Sequence, residues 1–142
     1  MKILLAADGS TYTKKALAFL VTNHEIAGGD GEIVVVNVQP AMPPRVKSMV
    51  GAAAVQDYHR EEAEKVLKPI EKFLQRHDIA YTSRWAVGNP GVEIVKAAKK
   101  DKAQMIVMGT HGHGIFARAL LGSVAERVMS KAPCPVMVVR GK

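Results

Sequence analysis

Short apolar runs alternate with longer stretches of helical periodicity along this chain. Residues 2–7 read Lys2-Ile3-Leu4-Leu5-Ala6-Ala7 and end at Asp8-Gly9-Ser10. An apolar run bounded by turn residues predicts a strand covered on both faces. Ser10 or Thr11 is placed to cap the helix that follows, whose apolar face is Ala16, Leu17, Phe19, Leu20 and Val21. Gly28-Gly29-Asp30-Gly31 marks a turn. Ile33-Val34-Val35-Val36, within residues 32–38, predicts a second buried strand. Pro40, Pro43 and Pro44 interrupt regular structure, and residues 42–54 are expected to form an irregular loop. Val55, Tyr58, Ala63, Val66, Leu67, Ile70, Phe73 and Leu74 then recur at helical spacing over 55–77. Pro69 lies inside that pattern and is expected to kink the helix.

The remaining third continues the alternation. Residues 79–86 predict a third strand, 91–100 a helix opened by Pro90, and 104–108 a fourth strand. A glycine-rich stretch follows from Gly109 to Gly122. Ser123–Lys131 predicts a helix in which Ser123 and Glu126 have the spacing of a capping box. Pro133 and Pro135 end it, and residues 136–140 predict a fifth strand. Strands alternating with helices imply parallel crossovers and a three-layer α/β/α sandwich. Nothing divides the chain, so residues 1–142 are expected to form one domain. Ligands of such sheets bind at the carboxyl ends of the strands, near the switch in strand order.

Composition narrows the function classes. The chain has 142 residues, 48% hydrophobic and 23% charged, which excludes disorder and collagen-like repeats. No apolar run approaches the roughly 20 residues of a membrane helix, and the first run meets Asp8 too early to be a signal peptide. The single cysteine, Cys134, excludes an internal disulfide framework and fits a reducing, cytoplasmic setting. It reads as a small buried hydrophobe. The net charge of +7 favours anionic partners, but aromatic residues make up only 5%, too few for a base-stacking platform.

Two segments carry the candidate chemistry, and both follow strands. One is Asp8-Gly9-Ser10; the other is Gly109-Thr110-His111-Gly112-His113-Gly114, ending at Gly122-Ser123. Glycines let backbone N–H groups approach an anion closely, and the start of a helix favours phosphate. An acidic side chain after the first strand suits a ribose hydroxyl, although Asp8 could equally serve as a helix cap. Neither a Walker P-loop nor a Gly-x-Gly-x-x-Gly turn is present. His111-x-His113 alone is a weak metal signal. His24, His59 and His77 fall on helix surfaces or ends, and Trp85 is expected to pack at the margin of the sheet.

The spacing Gly109-x2-Gly112-x9-Gly122-Ser123 resembles the nucleotide-binding signature of the universal stress protein family. The flanks agree: Ile3-Leu4-Leu5-Ala6-Ala7-Asp8-Gly9-Ser10 at the start and Cys134-Pro135-Val136-Met137-Val138-Val139 at the end. The resemblance implies a Rossmann-like five-stranded parallel sheet in the order 3-2-1-4-5. It also implies ATP (or AMP or ADP) as ligand, with Mg²⁺ bridging phosphate oxygens. On that match Asp8 would hold the ribose. Backbone at Val38 would meet the adenine, with Ala6 and Ala7 beside the base. Met108, Gly109, Gly112, Gly122, Ser123 and Val124 would surround ribose and phosphates, and His111 and His113 would touch phosphate. The family pattern further implies a homodimer built through the edge strand Val136–Val139.

No residue declares itself catalytic. The expected function is therefore a nucleotide-dependent regulator or switch in the stress response, with at most slow ATP hydrolysis. A genuine ATPase or phosphotransferase and a basic nucleic-acid-binding protein are the alternatives; nucleic acid leaves the glycine loop unexplained.

Overall fold

The computed structural model describes residues 1–23, 25, 31–111 and 121–140. In chain order the elements are β1 (Lys2–Ala6), α1 (Thr11–Thr22), β2 (Glu32–Gln39), α2 (Pro44–Val50), α3 (Ala52–Arg76), β3 (Tyr81–Val87), α4 (Pro90–Asp101), β4 (Met105–Gly109), α5 (Ser123–Lys131) and β5 (Val136–Val139). All five strands join one sheet in the order β3-β2-β1-β4-β5, every pair parallel. The expected strand order is thus the observed one.

The centre of this sheet is apolar on both faces. Ile3, Leu4 and Leu5 of β1 are fully buried. Because strand side chains alternate, they feed two different cores. Ile3 and Leu5 join Leu20, Val35, Leu67 and Leu74, which places α1 and α3 on one face. Leu4 joins Val34, Ile94, Ile106 and Val128, which places α4 and α5 on the other. Each fully buried Leu or Ile contributes roughly 1.5–3 kcal/mol over its exposed state, so β1 anchors both layers.

The sheet's direction of growth reverses at β1. Register runs from Lys2↔Glu32 to Ala6↔Val36 on one side and from Ile3↔Met105 to Leu5↔Val107 on the other. The loops after β1 and β4 leave the sheet side by side there. Parallel sheets offer their ligand crevice at such a switch.

Residues 42–54 do not form an irregular loop. Pro44 begins α2, and α3 starts at Ala52, only Gly51 (φ +92°) separating them. The first turn of a helix tolerates proline because its N–H groups lack intrahelical acceptors in any case; Pro44 therefore starts structure where it was expected to break it. Pro69 does lie inside α3, which continues through it to Arg76. The Gly28–Asp30 part of the expected turn and His24 fall outside the described residues. Among the described residues, no helix is long and apolar enough to cross a membrane.

Candidate functional site

Asp8 follows β1 at the switch point and is held by its neighbours. Its Oδ1 accepts from the Ser10 backbone N–H at 2.8 Å and from the Thr13 hydroxyl at 2.7 Å. Its own N–H donates to Thr13 Oγ1 at 3.0 Å. Ser10 is the N-cap of α1 and accepts from Thr13 N–H at 3.3 Å, so the capping role belongs to Ser10 and not to Asp8. Gly9, between them, has φ +80°, a conformation that side chains with a Cβ rarely adopt. The turn thus places a partly exposed carboxylate, its Oδ1 braced by Ser10 and Thr13, at the end of the central strand.

Ala6 and Ala7 are buried beneath this turn. The Ala7 N–H donates to Val36 O at 2.9 Å, and the Ala7 carbonyl accepts from Asn37 Nδ2 at 2.8 Å. Gln39 Nε2 in turn donates to Asn37 Oδ1 at 2.7 Å. These bonds tie the exit of β1 to the last residues of β2, where half-buried Val38 stands beyond the last β1–β2 pair.

The second half of the site follows β4. Met108, Gly109 and Thr110 are buried. Thr110 N–H continues the β4–β5 ladder to Val139 O at 3.1 Å, and Gly122 N–H donates to Thr110 O at 2.7 Å. That bond brings Gly122, the N-cap residue of α5, back onto the end of β4. His111 Nδ1 lies 3.1 Å from Thr110 Oγ1, and its ring rests against Tyr12 of α1.

Ser123 is the first residue of α5, not its cap. The expected capping box with Glu126 is therefore absent: the shift of one residue leaves Glu126 N–H donating to the Gly122 carbonyl at 3.0 Å, inside the helix. Gly122 has no side chain to cap with, whereas α1 and α4 are capped by Ser10 and Asn89. Ser123 and Val124 also border an open groove of about 550 Å³ that runs along α5 to Lys131 beside the start of α4.

The structure accordingly places Ala6, Ala7, Asp8, Val38, Met108, Gly109, His111, Gly122, Ser123 and Val124 at the carboxyl end of the sheet, at or just after β1, β2 and β4 and at the start of α5. Gly112 and His113 lie outside the described residues. Sequence reasoning overlooked Thr13, Asn37 and Tyr12. Asn37 had a visible signal, a lone amide in the run Ile33-Val34-Val35-Val36-Asn37-Val38. His59 was expected on a helix surface and is instead 3% exposed. It lies one turn before Ala63 on the stripe that continues through Leu67, Ile70 and Leu74. Cys134 is half-buried rather than fully buried, packed with Val136 against the second core. Trp85 packs at the margin of the first core, on the edge strand β3, as expected.

Comparison with known proteins adds the family. The model of the universal stress protein family matches residues 1–140. The universal stress protein MJ0531 of Methanocaldococcus jannaschii is 34% identical over 98% of this chain and 81% of its own length. The solved structure of MJ0577, from the same organism, superposes with a TM-score of 0.86 at 30% identity, covering 99% of this chain and 96% of that one. A universal stress protein family protein of Arabidopsis thaliana, crystallised with AMP bound, shares the fold at a TM-score of 0.73 and 15% identity, covering 99% and 91% of the two chains. Model match, fold and relatives agree over nearly the whole length, and the chain belongs to the universal stress protein family.

Proposed function

We propose that this protein binds an adenine nucleotide, ATP in the first place, and works as a cytoplasmic nucleotide-dependent regulator with at most slow hydrolysis. The observation that carries the reading is the Gly122 N–H to Thr110 carbonyl bond. It sets the start of α5 beside the end of β4, at the same carboxyl end of the sheet as Asp8. A side-chain carboxylate for a ribose and a helix start for phosphate would then serve one ligand at the carboxyl ends of β1 and β4. The glycine signature of the sequence and the AMP-bound relative support adenine nucleotide as the ligand class.

The residues fit such a ligand. Asp8 Oδ1 is braced by Ser10 and Thr13, which orients the carboxylate for a ribose hydroxyl. Ala6, Ala7 and Val38 would lie beside the base, Ala6 and Val38 packing with the second core and Ala7 with the first. Backbone N–H groups around Gly109, Gly112, Gly122, Ser123 and Val124, with His111 and His113, would meet the phosphates. Among the described residues no group of three or more His, Cys, Asp or Glu is arranged to hold a metal ion. Mg²⁺ would be held through phosphate oxygens and water, as Mg²⁺ commonly is.

A homodimer through β5 completes the proposal. The sheet has two edge strands, β3 and β5. Edge β3 carries Arg84, whose guanidinium donates to Asp101 Oδ1 at 3.0 Å, and such a charge blunts edge pairing. Edge β5 is Val-Met-Val-Val, half-exposed throughout. A twofold mate pairing along β5 would cover it.

The test is to denature freshly purified protein and identify any released nucleotide, then to titrate the protein with ATP, AMP and GTP in Mg²⁺ by calorimetry. Adenine nucleotide near one per chain, or saturable ATP binding weakened by Asp8→Asn, is the expected result. A protein that neither carries nor binds any adenine nucleotide overturns the reading. Salt-dependent binding to single-stranded or duplex nucleic acid would then become the next reading to pursue.

A further inference from the structure

Tyr12 stands where the two halves of the site meet. It is the second residue of α1, in a turn fixed by the Ser10 cap, and it is half-buried. The first turn of α1 packs so closely on the end of β4 that a Cβ at Gly109 would lie 3.0 Å from the Tyr12 carbonyl carbon and 3.1 Å from its Cα. The Tyr12 ring then reaches past Gly109 to His111. Ring centroids are 5.3 Å apart and the planes are inclined by 47°, within the range of favourable aromatic contacts. The edge of the same imidazole meets Thr110, Nδ1 lying 3.1 Å from Oγ1. Thr110 is only 4% exposed and is itself fixed at both backbone ends, through Val139 O and Gly122 N.

His111 is thus met by the tilted Tyr12 ring of one element and at Nδ1 by a rigid neighbour. We propose that Tyr12 is a positioning residue for the anionic end of the ligand: it fixes the His111 imidazole in the orientation that meets phosphate. This deepens the nucleotide reading and rests on it. A ring oriented before binding loses less rotational freedom on contact, and the gain falls on whatever the ring touches. The phosphates of ATP should therefore feel Tyr12, and a bare nucleoside should not.

The experiment compares ATP and adenosine binding by calorimetry in the wild type, Tyr12→Phe, Tyr12→Leu, His111→Ala and the Tyr12→Leu/His111→Ala double variant. The His111 ring protons are followed by NMR in the proteins that keep His111. Tyr12→Leu should weaken ATP binding about three- to tenfold, the scale of one freed side chain, with adenosine binding unchanged. Tyr12→Phe should bind ATP like the wild type, because the ring does the positioning. In the His111→Ala background, Tyr12→Leu should cost nothing more. Loss of the Tyr12 ring should also shift the His111 ring protons, while Tyr12→Phe preserves their positions.

A folded Tyr12→Leu protein that binds ATP like the wild type overturns the proposal. So does a loss shared equally by adenosine, or one that persists without His111, since each describes a purely structural role. If Tyr12→Leu fails to fold, Tyr12→Phe and its ring-proton shifts decide: a displaced His111 signal in that conservative variant overturns the proposal. A wild-type protein that binds no adenine nucleotide overturns the nucleotide reading and this inference together, whereas normal wild-type binding with an inert Tyr12→Leu overturns this inference alone.

Discussion

The Thr13 hydroxyl both donates to Asp8 Oδ1, at 2.7 Å, and accepts from the Asp8 backbone N–H, at 3.0 Å. Thr13 is 3% exposed, so water does not readily replace either bond. Thr13→Val keeps the shape and removes both. Deleting one partner of a buried hydrogen-bonded pair costs about 1–3 kcal/mol, and we expect a loss of that size in urea unfolding. Nucleotide affinity should fall with it, because the carboxylate loses its brace. Asp8→Asn should weaken binding with a smaller effect on stability. Equal stability losses in the two variants, with binding intact, would reduce Asp8 to a turn residue.

Gly109 is explained by packing before any ligand is considered. Its Cβ position is filled by the backbone and Cβ of Tyr12, and both residues belong to elements that cannot separate without opening the α1–β4 contact. Gly109→Ala should destabilise the fold by about 1–3 kcal/mol, the usual cost of overpacking. Truncating the neighbour will not rescue it: Tyr12→Ala retains the Cα and carbonyl carbon that lie at 3.1 and 3.0 Å. A thermal midpoint unchanged by Gly109→Ala would mean that α1 slides freely, and the glycine would then belong to the ligand alone.

Much of this was legible in the chain because the three inner strands, β1, β2 and β4, are apolar on both sides. Ile3, Leu4 and Leu5 have no exposed face, so no polar alternation competes with the reading of a buried parallel strand. The Asp8 turn and the Ser10 cap were legible for the same local reasons. What sequence could not give were the contacts across elements. Tyr12 reaches Gly109 and His111 only because α1 lies over β4, and nothing in the local run Thr11-Tyr12-Thr13 marks that. Residues 42–54 misled for a different reason. Pro43-Pro44 is equally compatible with a break and with a helix start, and only the register of the following turn decides between them. Ser123 misled by one residue: Gly122 takes the cap, a distinction that side-chain preference alone does not make.

Cys134 offers a check on its surroundings. Burial against the second core pushes its thiol above the ordinary thiol range. The thiolate is the reactive form, so alkylation by iodoacetamide at pH 8 should be slower than that of a free cysteine derivative. The rate should climb only as pH passes beyond the usual thiol range. The linkage has a matching sign: with the folded pKa raised, the neutral thiol is the form the fold favours. That contribution is complete below the unfolded pKa and is lost as pH rises through the folded one. A rate at or above that of the free thiol would place Cys134 in an exposed or electropositive setting and return a redox role to consideration.

His59 carries the most direct stability prediction. Its side chain lies on the buried stripe of α3, and among the described residues neither ring nitrogen has a hydrogen-bond partner. Tyr58, beside it, offers only an edge contact, with ring centroids 5.7 Å apart. A buried polar group without a partner costs about 1–3 kcal/mol relative to a satisfied one, and an apolar side chain of similar volume carries no such cost. His59→Leu should therefore raise the urea midpoint, by about 1 kcal/mol or more in unfolding free energy, with the denaturant slope unchanged. His59→Ala should instead lower it, because the space is then empty. The two variants separate polarity from packing. If both destabilise equally, the imidazole is satisfied by buried water and serves as a polar anchor for the start of α3.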